Sequence, residues 1–199
     1  MPVSAKTLYL KIAHTVRIIT IPPVMVGILL TLVYTLRDDV ITTAADMIVS
    51  LMGLTVLPIL AYPVAFAIPS FRKKGREGQR SMAMYFSTVG YVGVFVYGLI
   101  TNVGTGLMHI YAGYLISVVI ILVSNKVFEV RVSGHACSVS GPLVYSGFFL
   151  GLWGIAVGAM CWCAILWASL AMKRHTVKEF LLGTMTCLVS FTTAWYVFH

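Results

Sequence analysis

The stretch from Ala136 to Met172, ACSVSGPLVYSGFFLGLWGIAVGAMCWCAILWASLAM, holds no charged residue, and its reading decides the fold. As one helix it would reach about 55 Å at 1.5 Å per residue, nearly twice the roughly 30 Å hydrocarbon core of a bilayer. Two shorter helices joined by a tight turn fit that thickness, and Gly151-Leu-Trp-Gly154-Ile-Ala-Val-Gly158 offers the turn residues. The alternative is one tilted helix whose glycines are small-residue packing positions. A hairpin returns the chain to the face it left, whereas a single helix does not.

Outward from this block the same pattern repeats, with apolar runs separated by short polar breaks. Earlier runs cover about Ile18 to Leu36, Met47 to Ile68, Met82 to Ile100 and Leu107 to Val123, and a last one covers about Phe180 to Phe198. Pro22-Pro23, Pro58 and Pro63 mark kinks that neighbouring helices must compensate. Thr101 to Gly106 reads as a turn. Of the 199 residues, 59% are hydrophobic and 10% charged, against about a quarter charged in a soluble domain. The composition therefore excludes an ordinary water-soluble domain. The expected architecture is all-α: a single integral membrane domain over 1–199, built as a polytopic transmembrane helix bundle of about seven spans, or six if the long block is one helix. Lys6, Lys11 and Arg17 ahead of the first run, with no small-residue cleavage site before Arg37, speak against a cleavable signal peptide.

With seven alternating spans, the N-terminal tail and the polar stretches 70–81, 124–135 and 173–179 share one face. Nearly all the lysines and arginines behind the net charge of +8 lie there, while Arg37 lies opposite beside Asp38, Asp39 and Asp46. The positive-inside rule puts the basic face in the cytoplasm of a cell-membrane protein. A phosphate-binding site would gather basic residues for a different reason. The tail charges, which belong to no evident site, favour the topological cause. Loops binding lipid headgroups are the plainest account of the polar stretches.

Two patterns point further. Val132-Ser133-Gly134-His135 lies just ahead of an apolar helix, where backbone N–H groups attract anions and a small residue permits close approach. In Arg174-His175-Thr176-Val177-Lys178-Glu179, His175 and Glu179 are four apart and share a helix face, so the carboxylate can orient the imidazole as a nucleophile.

In these residues the sequence resembles the type 2 phosphatidic acid phosphatase superfamily of membrane lipid phosphatases. The family's first motif is Lys, six residues, Arg, Pro; here Lys73 and Arg80 keep the spacing and Ser81 replaces the proline. The second, Pro-Ser-Gly-His, is matched by Val132-Ser133-Gly134-His135 apart from its first position. The third is Ser-Arg, five residues, His, three residues, Asp. Ala168 and Ser169 stand for Ser-Arg, His175 for the histidine and Glu179 for the aspartate. The resemblance spans about Lys73 to Glu179 and implies a core of the family's type, usually described with six spans. It implies that His175 attacks phosphorus, Glu179 orients it, and His135 acts as general acid and then base. Lys73, Arg80, Ser133 and Gly134 would hold the phosphate oxygens, and Lys173, Arg174 or Arg131 would be the candidates to stand in for the arginine missing at Ser169. The implied substrate is a lipid phosphate such as phosphatidate, phosphatidylglycerol phosphate or a polyprenyl diphosphate. No metal or other cofactor is implied, and no partner beyond membrane lipids, nucleic acid included.

The other singled-out residues carry plainer expectations. His14 and His109 read as interfacial packing, the tryptophans as anchors or packing residues, Glu129 and Arg131 as a local ion pair, and Arg76 and Lys74 as solvated. The four cysteines read as small buried hydrophobes. Two further functions compete with the phosphatase: a non-enzymatic lipid-binding or transport protein retaining the basic pocket, and a small-solute transporter, which the few mid-membrane polar residues disfavour.

Overall fold

The computed structural model describes residues 3–130 and 132–198, which are helical with no strand among them. The chain runs through α1 (Val3–Ile19), α2 (Pro22–Leu36), α3 (Ala44–Leu51), a π-helical turn (Met52–Val56), α4 (Leu57–Ala67), α5 (Pro69–Lys73), α6 (Gly75–Thr101), α7 (Thr105–Lys126), α8 (Gly134–Ala171) and α9 (Val177–Phe198). Five helices are long and apolar enough to cross a membrane when Ala44–Ala67 and Gly134–Ala171 are each counted once. A sixth is the bent pair Leu8–Ile19 and Pro22–Leu36. Large apolar side chains point outward, Leu152 and Trp153 being more than 80% exposed. A water-facing surface does not tolerate that over a whole molecule, and the fold is a helical membrane bundle.

The long apolar block is not straight. Gly151 takes φ 66° and ψ −145°, a region open essentially to glycine alone, and the chain reverses there. The two arms, 134–150 and 152–171, then pack face to face. A Cβ on Gly154 would sit 2.0 Å from the Ser146 carbonyl oxygen, and one on Gly158 3.2 Å from that of Leu143. On a straight helix Leu143 and Gly158 would be about 22 Å apart. The hairpin reading holds, and the glycines serve both as turn and as contact.

The tip of this hairpin is tied to the end of α2. The Arg37 guanidinium donates through Nη1 to the Phe149 carbonyl at 2.7 Å and holds Asp39 bidentately, with both contacts at 2.8 Å. Gly106, in the first turn of α7, approaches Phe149 and Val40. The acidic loop, the α6–α7 turn and the hairpin tip thus share one end of the bundle, opposite the end carrying His135 and His175.

Several element bounds differ from the apolar runs for identifiable reasons. α6 begins seven residues before Met82, because Arg76, Glu77, Gln79 and Arg80 favour helix and carry its first turns beyond the apolar run. Residues ahead of Ile18 form α1 rather than a tail, bent 53° from α2 at Thr20–Ile21 before Pro22-Pro23. The π-helical turn precedes Pro58, whose ring would crowd the Leu54 carbonyl in a regular helix. In that turn Gly53 packs against Gly90 of α6 so closely that a Cβ on Gly90 would lie 2.1 Å from the Gly53 carbonyl. His109 packs in the core, 2% exposed and bonded to the Phe191 carbonyl at 2.9 Å. Cys137 and Cys187 are buried, as small hydrophobes would be, whereas Cys163 is exposed.

Candidate active site

The end of the bundle opposite the hairpin tip contains a cavity of about 570 Å³, within the usual range for a small-molecule site. α6 supplies one wall as a helical stripe, Arg76, Gln79, Arg80, Ala83, Met84, Ser87 and Tyr91, spaced by threes and fours. The stripe runs about 22 Å along the helix, so the cavity passes from a basic mouth into the apolar layer. Pro22, Pro23 and Val26 of α2, Leu54 and Pro58 line its apolar limb.

The second and third motif segments meet at the mouth because α9 lies hard against the start of α8. Gly183 makes this possible: a Cβ there would be 2.5 Å from the Ser133 carbonyl oxygen and 2.8 Å from the Ala136 Cβ. The Ser133 N–H donates to the Glu179 carbonyl at 3.3 Å. Ser133 caps α8, its Oγ accepting from the Ala136 N–H at 3.1 Å, and the same Oγ lies 3.4 Å from His175 Nε2. The loop before it is pinned by Asn125, whose side chain accepts from the Val132 N–H at 2.8 Å.

Thr176 and Glu179 form a capping box at the start of α9, each side chain accepting from the other's backbone N–H, at 3.1 and 3.2 Å. That box fixes the Glu179 carboxylate, whose Oε2 stands 3.5 Å from His175 Nδ1. The distance is long for a hydrogen bond. With Nδ1 turned to the carboxylate, Nε2 is the atom left for chemistry. The His175 imidazole is only 5% exposed. Burial, then the positive charges of Arg80 and Arg17, holds its pKa below the usual histidine range, against the opposing pull of Glu179. The His135 ring lies nearly parallel to it, 6.4 Å between centroids, and His135 Nε2 is buried without a hydrogen-bond partner.

Of the residues singled out from sequence, His135, His175, Arg80, Gly134 and Arg174 line this cavity. Ser133 and Glu179 stand behind the lining and touch His175. Lys73 does not line it. The left-handed Gly75 (φ 55°) breaks the helix between Lys73 and Arg80, so their seven-residue spacing does not bring them to one face, and Lys73 ends exposed on α5. Arg131 lies outside the described residues. Ser169, at the motif's arginine position, is fully buried with an unpartnered Oγ and is not part of the lining.

Three lining residues carry other expectations from the sequence. Arg76, read as solvated, belongs to the α6 stripe; its spacing of four from Arg80 was the available signal. His14, read as interfacial packing, and Arg17, read as a topogenic charge, reach the mouth from α1, and no local pattern marks either as a site residue. Among the described residues that line the cavity are four arginines and three histidines but no carboxylate. Such an arrangement attracts an anion and repels a cation. Compared with known proteins, the chain matches no family model, no curated protein and no solved structure.

Proposed function

We propose that this chain is a membrane lipid phosphate phosphatase, a divergent member of the type 2 phosphatidic acid phosphatase superfamily. The observation that carries the reading is the convergence of His135 and His175 on one arginine-lined cavity that continues into the apolar layer. A phosphate at the mouth with its tail along α2, α4 and α6 suits that shape. The substrate is a phosphomonoester or diphosphate of a lipid.

In the proposed reaction His175 Nε2 attacks phosphorus while Glu179 holds Nδ1–H. The bond from phosphorus to the leaving oxygen breaks, and His135 gives that oxygen a proton. Water then attacks the phosphohistidine, His135 takes its proton, and the nitrogen–phosphorus bond breaks to release phosphate. Arg80, Arg174 and the backbone around Gly134 offset charge on the phosphoryl oxygens, and Arg76 takes the place first assigned to Lys73. With the hairpin counted as two crossings, the chain crosses a cell membrane seven times. The concentration of lysine and arginine at the site end favours a cytoplasmic site and N-terminus.

The test is phosphate release in detergent from phosphatidate, phosphatidylglycerol phosphate and undecaprenyl diphosphate, with and without EDTA. Metal-independent, vanadate-sensitive release is expected, lowered about 10²-fold or more by either His135→Ala or His175→Ala. Wild-type turnover in either variant overturns the mechanism. The burial of Ser169 and the absence of Lys73 from the lining favour a second reading, a lipid-binding relative without turnover. It is distinguished by headgroup binding with no phosphate released.

A further inference from the structure

We propose that Arg17, on the N-terminal helix, is an oxyanion ligand of this cavity and holds the phosphoryl group of a phosphomonoester together with Arg80 and Arg174. The proposal rests on the phosphate reading of the site and adds to it a ligand from outside the motif-bearing half of the chain.

Arg17 sits in the last turn of α1 and lines the cavity mouth. Its Nη1 is buried and has no acceptor, while the guanidinium groups of Arg174, Arg76 and Arg80 all oppose its charge. A guanidinium nitrogen buried without an acceptor is costly, and like charges around it add to the cost. An anion between these groups removes both penalties. The arrangement also offers a second orphan, His135 Nε2, so one tetrahedral oxyanion reaching both answers two unsatisfied groups. A planar guanidinium is suited to two phosphoryl oxygens at once.

The placement of α1 explains why the helix and not a loop supplies this group. α1 packs along the second arm of α8, with Tyr9 edge-on to Trp167 at 5.2 Å between centroids. In the last turn of that arm stands Ser169, which is fully buried and brings no charge to the mouth. Two turns beyond Tyr9, α1 brings Arg17 there instead. A phosphomonoester carries up to two charges and three free oxygens, whereas a phosphodiester carries one charge and two, so a cluster of arginines without a lining carboxylate selects the monoester.

The experiment uses the full chain in detergent and follows its thermal unfolding during titration with inorganic phosphate. Parallel titrations use mixed micelles of phosphatidate, a lipid monoester, and of phosphatidylglycerol, a diester with the same tails. Phosphatidate is expected to protect at lower concentration than phosphatidylglycerol. Arg17→Gln should weaken protection by each phosphoryl ligand about 10- to 100-fold without lowering the ligand-free melting temperature. Arg17→Lys, which keeps charge and bulk but not the fork, should recover part of the loss, and it decides the matter if Arg17→Gln does not fold. Protection by phosphatidate alone makes the ligand lipid-borne, and protection by inorganic phosphate alone makes it free; the loss in Arg17→Gln is required in both cases. Unchanged affinity in the variants, or no protection of wild type by any phosphoryl ligand, overturns the proposal. Phosphate release from the same preparations separates the two readings. Lost affinity with no turnover in wild type leaves Arg17 as a ligand and removes the phosphatase. Turnover with unchanged affinity in Arg17→Gln does the reverse.

Discussion

Gly154→Ala is the sharpest test of the hairpin on which the site depends. The added Cβ would stand 2.0 Å from the Ser146 carbonyl oxygen, 2.5 Å from its carbon and 3.0 Å from the Gly147 nitrogen. All three belong to backbone, so no side chain can swing away. Restoring an ordinary separation of about 3.4 Å requires the arms to part by about 1.4 Å, and contacts along the seam weaken together. Overpacking of this kind costs about 1–3 kcal/mol, while replacing glycine by alanine in a helix returns about 0.5–1 kcal/mol. The net expectation is a loss of about 1–2 kcal/mol. Gly93→Ala in α6 is the control, since its Cβ would meet nothing within 4 Å. It should be neutral or gain up to about 1 kcal/mol. Equilibrium unfolding in mixed micelles, followed by tryptophan fluorescence, measures both. If Gly154→Ala is as stable as Gly93→Ala, the arms are not in contact there and the argument that returns His175 to the side of His135 fails.

Gly183→Val should damage the site more than the fold, because its side chain would drive α9 from the Ser133 carbonyl; about 10-fold lower phosphate release with a melting temperature that falls by only a few degrees is the signature. With His175 held below the ordinary 6.5 by burial and then by Arg80 and Arg17, the acid limb of kcat/KM should lie below pH 6.5. Arg80→Gln should move that limb up and Glu179→Gln down. Because the folded chain takes this proton less readily than the unfolded one, the same group's contribution to stability is present above pH 6.5 and is lost as pH falls through its lowered pKa. At the opposite end, Asp46 is buried and accepts from Tyr97 Oη at 2.9 Å and Thr43 Oγ1 at 2.7 Å. Asp46→Ala should cost about 1–3 kcal/mol in the same unfolding assay, and Asp46→Asn, which keeps an acceptor, clearly less.

The hairpin was legible in the sequence because its signal is doubly determined, by a length no bilayer accommodates and by glycines spaced for both turn and contact. The pairing of His175 with Glu179 was expected from a shared helix face, whereas His175 lies in the bend before α9 and the Thr176–Glu179 capping box turns the carboxylate back to it. Lys73 misled because a seven-residue spacing brings two side chains to one face only on an unbroken helix, and nothing in Lys-Lys-Gly-Arg announces that Gly75 adopts φ 55°. Arg17 was hidden because a positive charge beside a membrane segment has a sufficient reason to exist without any ligand. Its place at the cavity comes from a bend at Thr20–Ile21 and from the packing of α1 on α8 more than a hundred residues away in sequence, neither of which a local pattern records. His14 escaped because a histidine near a span end reads equally well as interfacial packing.

The folded-back α8 has a consequence for how the protein is made. Its tip, Leu150-Gly151-Leu152-Trp153, carries no charge, and so gives the insertion machinery no instruction about which side to occupy. The instruction comes from Lys173 and Arg174 after the second arm, which are held on the side where that arm ends. On the seven-span reading proposed above, the hairpin leaves the sidedness of everything before and after it unchanged. A single added lysine at the tip would set the two instructions against each other, and would separate His135 from His175 by the thickness of the membrane.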